Sequence, residues 1–284
     1  MAKAKAIVHG AISIVNAIAN KKGATLGISL VVEAIVETSP GKGISIQSKN
    51  NTLSSRLINK TIEKIISAKD LEQNKITVTL ESEIPTGYGL KSSSAISSAV
   101  ALACAKLFKP NFTDQQILLA GVDASLESKV SLTGAFDDAC SCYFGGFNVT
   151  DNEKKRIIRS EKIPQNLVAI IFVPKNRKRG NVKNLKTLSS VFDNAWKMAK
   201  NSDYWSAMII NGLATSTILN SDPKIITDLL EKGALGASVS GNGPAIAAVV
   251  KKGNEENIKK IFSSLDGTVI VSKINNKKAE VHEL

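Results

Sequence analysis

The sequence predicts an α+β protein built in two parts. Strand-like segments of period two alternate with segments of helical spacing. A polar, unpatterned stretch, Asp151-Asn-Glu-Lys-Lys-Arg156, interrupts the chain near its middle, and the order β-α-α-β-α-β that follows fits a small αβ sandwich. The length of 284 residues suits one large domain or two modest ones at ~150 residues per domain. The expected division is residues 1–155 and 156–284.

The elements follow in order. Residues 4–18 and 24–38 are rich in Ile and Val and read as strands, the second from Ala24 to Glu37, joined by the turn-like Asn20-Lys-Lys-Gly23. Pro40-Gly-Lys-Gly43 is a turn, and Ile44-Ser-Ile-Gln-Ser48 alternates as a strand. From Ser54 to Ala68, apolar Leu57, Ile58, Ile62, Ile65 and Ile66 recur at helical spacing. Lys75–Glu81 is a period-two strand, and a Gly/Ser-rich turn leads from it into a helix over Ser93–Phe108. Residues 114–129 form a helix opened by Thr113-Asp-Gln-Gln116, a capping box with Thr at the N-cap and Gln at N3. Beyond the polar stretch come a strand at Leu167–Val173, helices at Leu185–Lys200 and Tyr204–Asn220, a strand at Ala245–Lys251, a helix at Glu255–Leu265 and a strand at Thr268–Ile274.

Composition narrows the class. An apolar fraction of 43% and a charged fraction of 22% are ordinary for a globular chain and wrong for a disordered one. No apolar run reaches the ~18 residues of a membrane span. The basic start Met1-Ala-Lys-Ala-Lys5 leads into a segment broken by His9, Gly10, Ser13 and Asn16, too interrupted for a signal-peptide core. Three cysteines (Cys104, Cys140, Cys142) and two histidines lack zinc spacing, so the expectation is a reducing, cytoplasmic setting with the cysteines as packing residues. The formal charge of +12 is uneven, with a net +3 in residues 1–150 and +9 in residues 151–284. It is densest at Lys175-Asn-Arg-Lys-Arg-Gly-Asn-Val-Lys183. A solvated loop, a rim around an anionic small molecule and a nucleic-acid surface all fit. The last is disfavoured by 5% aromatics, none of them in the basic run to stack a base.

Three stretches carry chemistry. Ile84-Pro-Thr-Gly-Tyr-Gly-Leu-Lys-Ser-Ser-Ser-Ala95 lies between a strand and a helix, where a backbone anion cradle belongs. Gly87 and Gly89 let the chain bend, and the first-turn amides at Ser92–Ala95 lack intrahelical partners and sit at the positive end of the helix dipole. An ordinary serine-capped helix is the alternative. It is not a Walker A loop, nor does Gly236-Ala-Ser-Val-Ser-Gly-Asn-Gly243 match the dinucleotide fingerprint. Asp137-Asp138, in an apolar run, are costly to bury unless paired or metal-bound; a surface turn is the alternative. Ser238-Val-Ser-Gly-Asn-Gly-Pro-Ala245 is a glycine loop leading into a strand.

Together these stretches resemble the GHMP kinase superfamily. Its middle motif, Pro-x-x-x-Gly-Leu-Gly-Ser-Ser-Ala, is matched by Pro85, Gly89, Leu90, Ser92 and Ser93, with Lys91 replacing a glycine and Ser94 the alanine. The family's C-terminal glycine motif is similar to Ser238–Ala245. Its aspartate seven residues before a Gly-Gly pair matches Asp138, and a metal-binding glutamate eleven residues earlier falls on Glu127. Gly10-Ala-Ile-Ser-Ile-Val-Asn-Ala17 and Gly89–Ala95 resemble the archaeal-type shikimate kinase branch. Many superfamily members carry Pro-Gly-Lys or Pro-Gly-Arg near the N-terminus, whereas here Ala11 follows Gly10 and no basic residue stands there.

The resemblance implies a two-domain GHMP kinase fold, with a ribosomal S5 domain 2-like N-terminal domain and a ferredoxin-like C-terminal domain. It implies ATP and Mg²⁺, and shikimate as the phosphoryl acceptor. On it, Pro85, Gly87, Gly89, Leu90, Lys91, Ser92, Ser93, Ser94 and Ala95 hold the nucleotide, and Ser93 and Glu127 bind the metal. Asp138 takes the hydroxyl proton, with Asp137 as alternate or support. Asn16, Arg179 (or Arg177), Ser240, Gly241 and Gly243 face the substrate. Homoserine or a mevalonate-type alcohol are the rival acceptors. A basic nucleic-acid-binding protein is the rival class, opposed by the acidic set Glu127, Asp137 and Asp138.

Overall fold

The computed structural model describes residues 2–48 and 54–284. In chain order the first part comprises strands β1 (Lys3–Val15), β2 (Lys22–Pro40) and β3 (Gly43–Ser48), helices α1 (Ser55–Ile65) and α2 (Ala68–Gln73), strand β4 (Asn74–Ser82), helices α3 (Ser92–Phe108), α4 (Asp114–Glu127) and α5 (Phe136–Phe144), and strands β5 (Phe147–Asp151) and β6 (Arg156–Glu161). The second comprises β7 (Leu167–Pro174), a 3₁₀ turn (Val182–Leu188), α6 (Ser189–Lys200), α7 (Tyr204–Leu219), α8 (Pro223–Glu231), β8 (Gly236–Val239), β9 (Ile246–Lys251), α9 (Glu255–Ser263) and β10 (Gly267–Lys273), after which β11 (Glu280–Glu283) returns to the first part.

A seven-stranded sheet runs β11-β1-β2-β4-β3, with the hairpin β5–β6 attached along the first residues of β2. Alternation in β4 buries Ile76, Val78 and Leu80 beneath the helices, as period two requires. Helix α3 is buried nearly all round: its Ala-rich sequence lets the sheet, α1, α4 and α5 pack closely against it. The second sheet has the order β10-β7-β9-β8, antiparallel throughout. That order, with helices between β7 and β8 and between β9 and β10, is the ferredoxin-like arrangement.

The structure departs from the sequence reading in several places, and α2, β5, β6 and β11 are absent from that reading. The polar stretch 151–156 is the β5–β6 hairpin turn, not the junction: β6 stays in the first sheet, and the chain reaches the second sheet only at Leu167. A turn and a linker have the same polar composition, so pattern alone did not separate them. Helix α5 is absent from the sequence reading because its nine residues span too few turns for periodicity to show. Helix α8 lies in residues 221–235, for which the sequence reading gave no element, and strand β8 lies in the stretch given as a glycine loop.

The two parts are tied by the chain's return. Gly27 donates its N–H to Gly146 O at 2.9 Å, and its own carbonyl accepts from Asn275 N at 3.0 Å. A Cβ on Gly27 would stand 3.0 Å from both Asn275 O and Gly145 Cα. Gly27→Ala is therefore expected to cost about 1–3 kcal/mol by overpacking, read as a melting midpoint lowered by roughly 2–10 °C.

Candidate active site

Where the two parts meet, a cavity of about 310 Å³ opens. Its walls are the glycine loop after β4, the start of α3, the end of β1 with residues 16–18, the 130–135 connection with the first turn of α5, and the loop between β8 and β9.

The first glycine loop reaches α3 through three successive left-handed turns of backbone, at Gly87 (φ 85°), Gly89 (φ 82°) and Lys91 (φ 67°). Glycine adopts these angles freely, whereas at Lys91 they are strained. Lys91 is the N-cap of α3 and gives it no side-chain cap, so the first-turn amides at Ser92, Ser93 and Ser94 are left to a ligand at the positive end of the helix. All three serines line the cavity. Leu90 and Ala95 are buried below it and shape the turn instead of touching a ligand; Pro85 starts the bend and is not in the lining.

The second glycine loop is locked to the first. Ser240 Oγ donates to Gly89 O at 2.9 Å, and Ala245 N donates to Tyr88 O at 3.2 Å. A Cβ on Gly89 would lie 1.9 Å from Ser240 O, so no other residue permits this approach. Gly241 lines the cavity, whereas Ser240 and Gly243 stand behind it. Arg179 Nη1 donates to Gly243 O at 2.9 Å while the side chain lines the cavity. Arg177 instead lies over the Tyr88 ring, 4.8 Å from its centre. Of the two arginines, then, Arg179 faces the cavity. Asn16 also lines it, and its amide donates one bond to Gly241 O at 2.7 Å and accepts one from Ile18 N at 2.9 Å.

The acids stand on the first turn of α5, whose N-cap Ala135 is left-handed (φ 52°), and both line the cavity. Asp138 forms an ion pair with Lys91 Nζ at 2.8 Å. No hydrogen bond is directed at that same oxygen, Asp138 Oδ1, so the contact is charge pairing across the cavity wall. Asp137 turns inward: its Oδ1 accepts from Asn152 Nδ2 at 2.7 Å, and its backbone carbonyl accepts from Thr25 Oγ1 at 2.8 Å. Burial, reinforced by the charge of Asp138, pushes the Asp137 carboxyl up to about 7. Cys140 and Cys142 are fully buried on the same helix, and burial pushes both thiols up, as packing residues and not nucleophiles require.

Ser93, Asp137 and Asp138 are thus brought to one cavity; Glu127 is not. It closes α4 with its carboxylate paired to Lys64 on α1, away from the lining. Ser125, two residues earlier, does line the cavity, and two residues turn a helix by about 200°. The eleven-residue spacing to Asp138 therefore selects the wrong face of α4. Among the described residues no three His, Cys, Asp or Glu side chains could together hold a metal. Ser13, Thr86 and Asn242 line the cavity without having been singled out in sequence, being isolated polar residues in strand or loop.

This fold and cavity define a kinase of one family. Residues 56–146 match the GHMP kinases N terminal domain and residues 219–265 the GHMP kinases C terminal domain. The chain belongs to the GHMP kinase family. Within it, the chain is 36% identical to the shikimate kinase of Methanothrix thermoacetophila, over 97% of this chain and 95% of that one. It is likewise 36% identical to the shikimate kinase of Methanobrevibacter smithii, over 94% and 95%. Among solved structures, homoserine kinase from Cytophaga hutchinsonii superposes with a TM-score of 0.77 at 17% identity, covering 99% of this chain and 97% of that one. Methanococcus jannaschii mevalonate kinase superposes with a TM-score of 0.71 at 17% identity, covering 96% and 98%. No helix of the described residues is long and apolar enough to cross a membrane.

The buried Asp137 has a consequence for stability. The folded protein holds its proton more tightly than the unfolded chain, whose carboxyl titrates near about 4. The stability this provides is complete below that range and is lost as pH rises toward 7. Asp137→Asn keeps an acceptor for Asn152 and removes the titration. Its melting midpoint is expected to fall less than the parent's between about pH 4 and pH 7, by roughly 2–5 °C. Parallel slopes in thermal melts would remove Asp137 as the cause.

Proposed function

We propose that this protein transfers the γ-phosphoryl group of ATP to the 3-hydroxyl of shikimate, a reaction step of aromatic amino-acid and chorismate biosynthesis. One observation carries the reading. An uncapped helix N-terminus, a carboxylate paired to a buried lysine, and an arginine with donors to spare all face the same cavity. Shikimate offers what these groups complement, a ring of hydroxyls and one carboxylate.

Phosphoryl transfer asks for positioning and for neutralised charge more than for covalent chemistry. The amides at Ser92–Ser94 receive the phosphates, with Gly87 and Gly89 allowing the backbone to come close. Asp138 accepts the proton of the attacking hydroxyl, and its ion pair with Lys91 keeps that carboxylate aimed. Asp137, buried and sharing its site with a second acid, supports α5 and is not the base. Arg179 takes the substrate carboxylate by its guanidinium fork. Mg²⁺ supplies charge neutralisation at the triphosphate. Ser93, which lines the cavity, would hold the ion, whereas Glu127 is turned away from it.

A coupled ADP-release assay across shikimate, homoserine and mevalonate tests the substrate. Shikimate is expected to lead in kcat/KM by ~100-fold or more, and Asp138→Asn to lower kcat by ~10²–10⁴-fold at little cost in nucleotide binding. A clear lead for another acceptor overturns the substrate; near-normal turnover in both Asp138→Asn and Ser93→Ala overturns the site.

The metal assignment has its own check. Ser93→Ala is expected to raise the Mg²⁺ concentration for half-maximal rate by ~10-fold, and Glu127→Gln to move it by less than about twofold. Kinetics over a Mg²⁺ series at saturating ATP separates them.

A further inference from the structure

Ser13, on β1, is buried at 1% exposure and lines the cavity. Its hydroxyl oxygen accepts two hydrogen bonds, from Lys91 Nζ at 2.8 Å and from Gly241 N at 2.9 Å. An ammonium and a backbone amide can only donate, so both acceptor positions of the serine oxygen are filled. The hydroxyl proton must then leave in the one direction that remains.

No protein group takes that proton among the described residues. Ser240 Oγ meets the backbone N–H of Ser13, from which it accepts at 3.2 Å, and gives its own proton to Gly89 O at 2.9 Å; it receives no hydrogen bond from the Ser13 hydroxyl. A buried hydroxyl without an acceptor is costly, and the cavity is the side of Ser13 left open.

We infer that Ser13 is an obligate hydrogen-bond donor to an oxygen of the bound reactants, polarised by Lys91 and the Gly241 amide. The partner is an oxygen with a free lone pair, on the transferred phosphoryl group or on the acceptor's hydroxyl. Identification of those reactants rests on the kinase reading above; the donor geometry does not. Lys91 then serves both sides of the site, pairing with Asp138 and freeing the Ser13 proton for the ligand.

Ser13→Thr and Ser13→Val test this, because their side chains have the same shape and differ in the hydroxyl. Thermal melts confirm that both fold. Calorimetry with the magnesium complex of a non-hydrolysable ATP analogue, and separately with shikimate, then reads which reactant meets the hydroxyl, and kcat reads a bond made only during transfer. Ser13→Val is expected to lose ~10-fold or more in one of these three while Ser13→Thr stays within about threefold of the parent. Equal behaviour of the two variants in all three overturns the inference. A second comparison uses Ser13→Ala in the parent and in Lys91→Met. A loss that persists without the lysine supports a ligand contact; a loss that vanishes there means Ser13 only anchors Lys91, and the inference fails. A parent protein that binds the nucleotide analogue but does not turn over shikimate overturns the substrate assignment alone.

Discussion

The site depends on one buried polar junction, in which a single lysine ammonium is wedged between an acid of α5 and a serine of β1. Lys91 has 5% of its side chain exposed, and an unpaired charge at that depth would cost several kcal/mol. Asp138 and Ser13 offset the cost, each 2.8 Å away. Because these partners come from elements far apart in sequence, satisfying the lysine forces β1, the first glycine loop and α5 into one arrangement. Gly241 adds the second part of the protein through its amide on the same serine. A Cβ at Gly241 would stand 2.8 Å from Lys91 Nζ, so the second glycine loop closes on the charge itself. The cavity is a by-product of this closure: it is the space left when four segments converge on groups that cannot be left unpaired.

Placing both acids at the head of α5 has a cost and a use. The first turn of a helix favours negative charge, which steadies two adjacent carboxylates that would otherwise repel. Their environments then separate them. Asp137 faces Asn152 and the protein interior, where its charge is disfavoured. Asp138 faces a cation and the cavity. Adjacent residues on a helix point about 100° apart, and that angle is enough to give one acid a structural task and the other a chemical one.

What could be read from sequence follows from what local chemistry records. Gly87, Gly89 and the serines of 92–94 were legible because a turn needing left-handed backbone before an uncapped helix leaves glycine and small residues behind. The second part was legible in outline as a small αβ sandwich because its strands are short and apolar, though β8 hid inside a glycine-rich run; its ferredoxin-like type came from the resemblance alone. Glu127 was misplaced because a spacing in sequence counts residues and ignores helical phase. Ser125 and Glu127 lie on opposite faces of α4, and only the former meets the cavity. The partnership of Ser13 with Lys91 spans 78 positions and left no local mark on either residue. Contacts of that range are written in the packing alone.

The substitution of lysine for glycine at position 91 is best understood with what β1 lacks. The strand carries Ala11 after Gly10 and no basic residue near the cavity, so it cannot supply a cation to Asp138. Lys91 supplies it from the cap of α3, at the cost of a left-handed backbone that glycine would adopt freely, a strain of about 1–2 kcal/mol. A buried charge-assisted pair recovers more than that when its partner would otherwise stand unpaired. The exchange also changes what the loop can do. A glycine there would leave the anion cradle to amides alone, whereas a lysine held by Ser13 and Asp138 adds fixed positive charge behind the cradle without entering it. Fixed charge of this kind needs no reorganisation when a phosphoryl group moves, which is the property electrostatic catalysis requires of it.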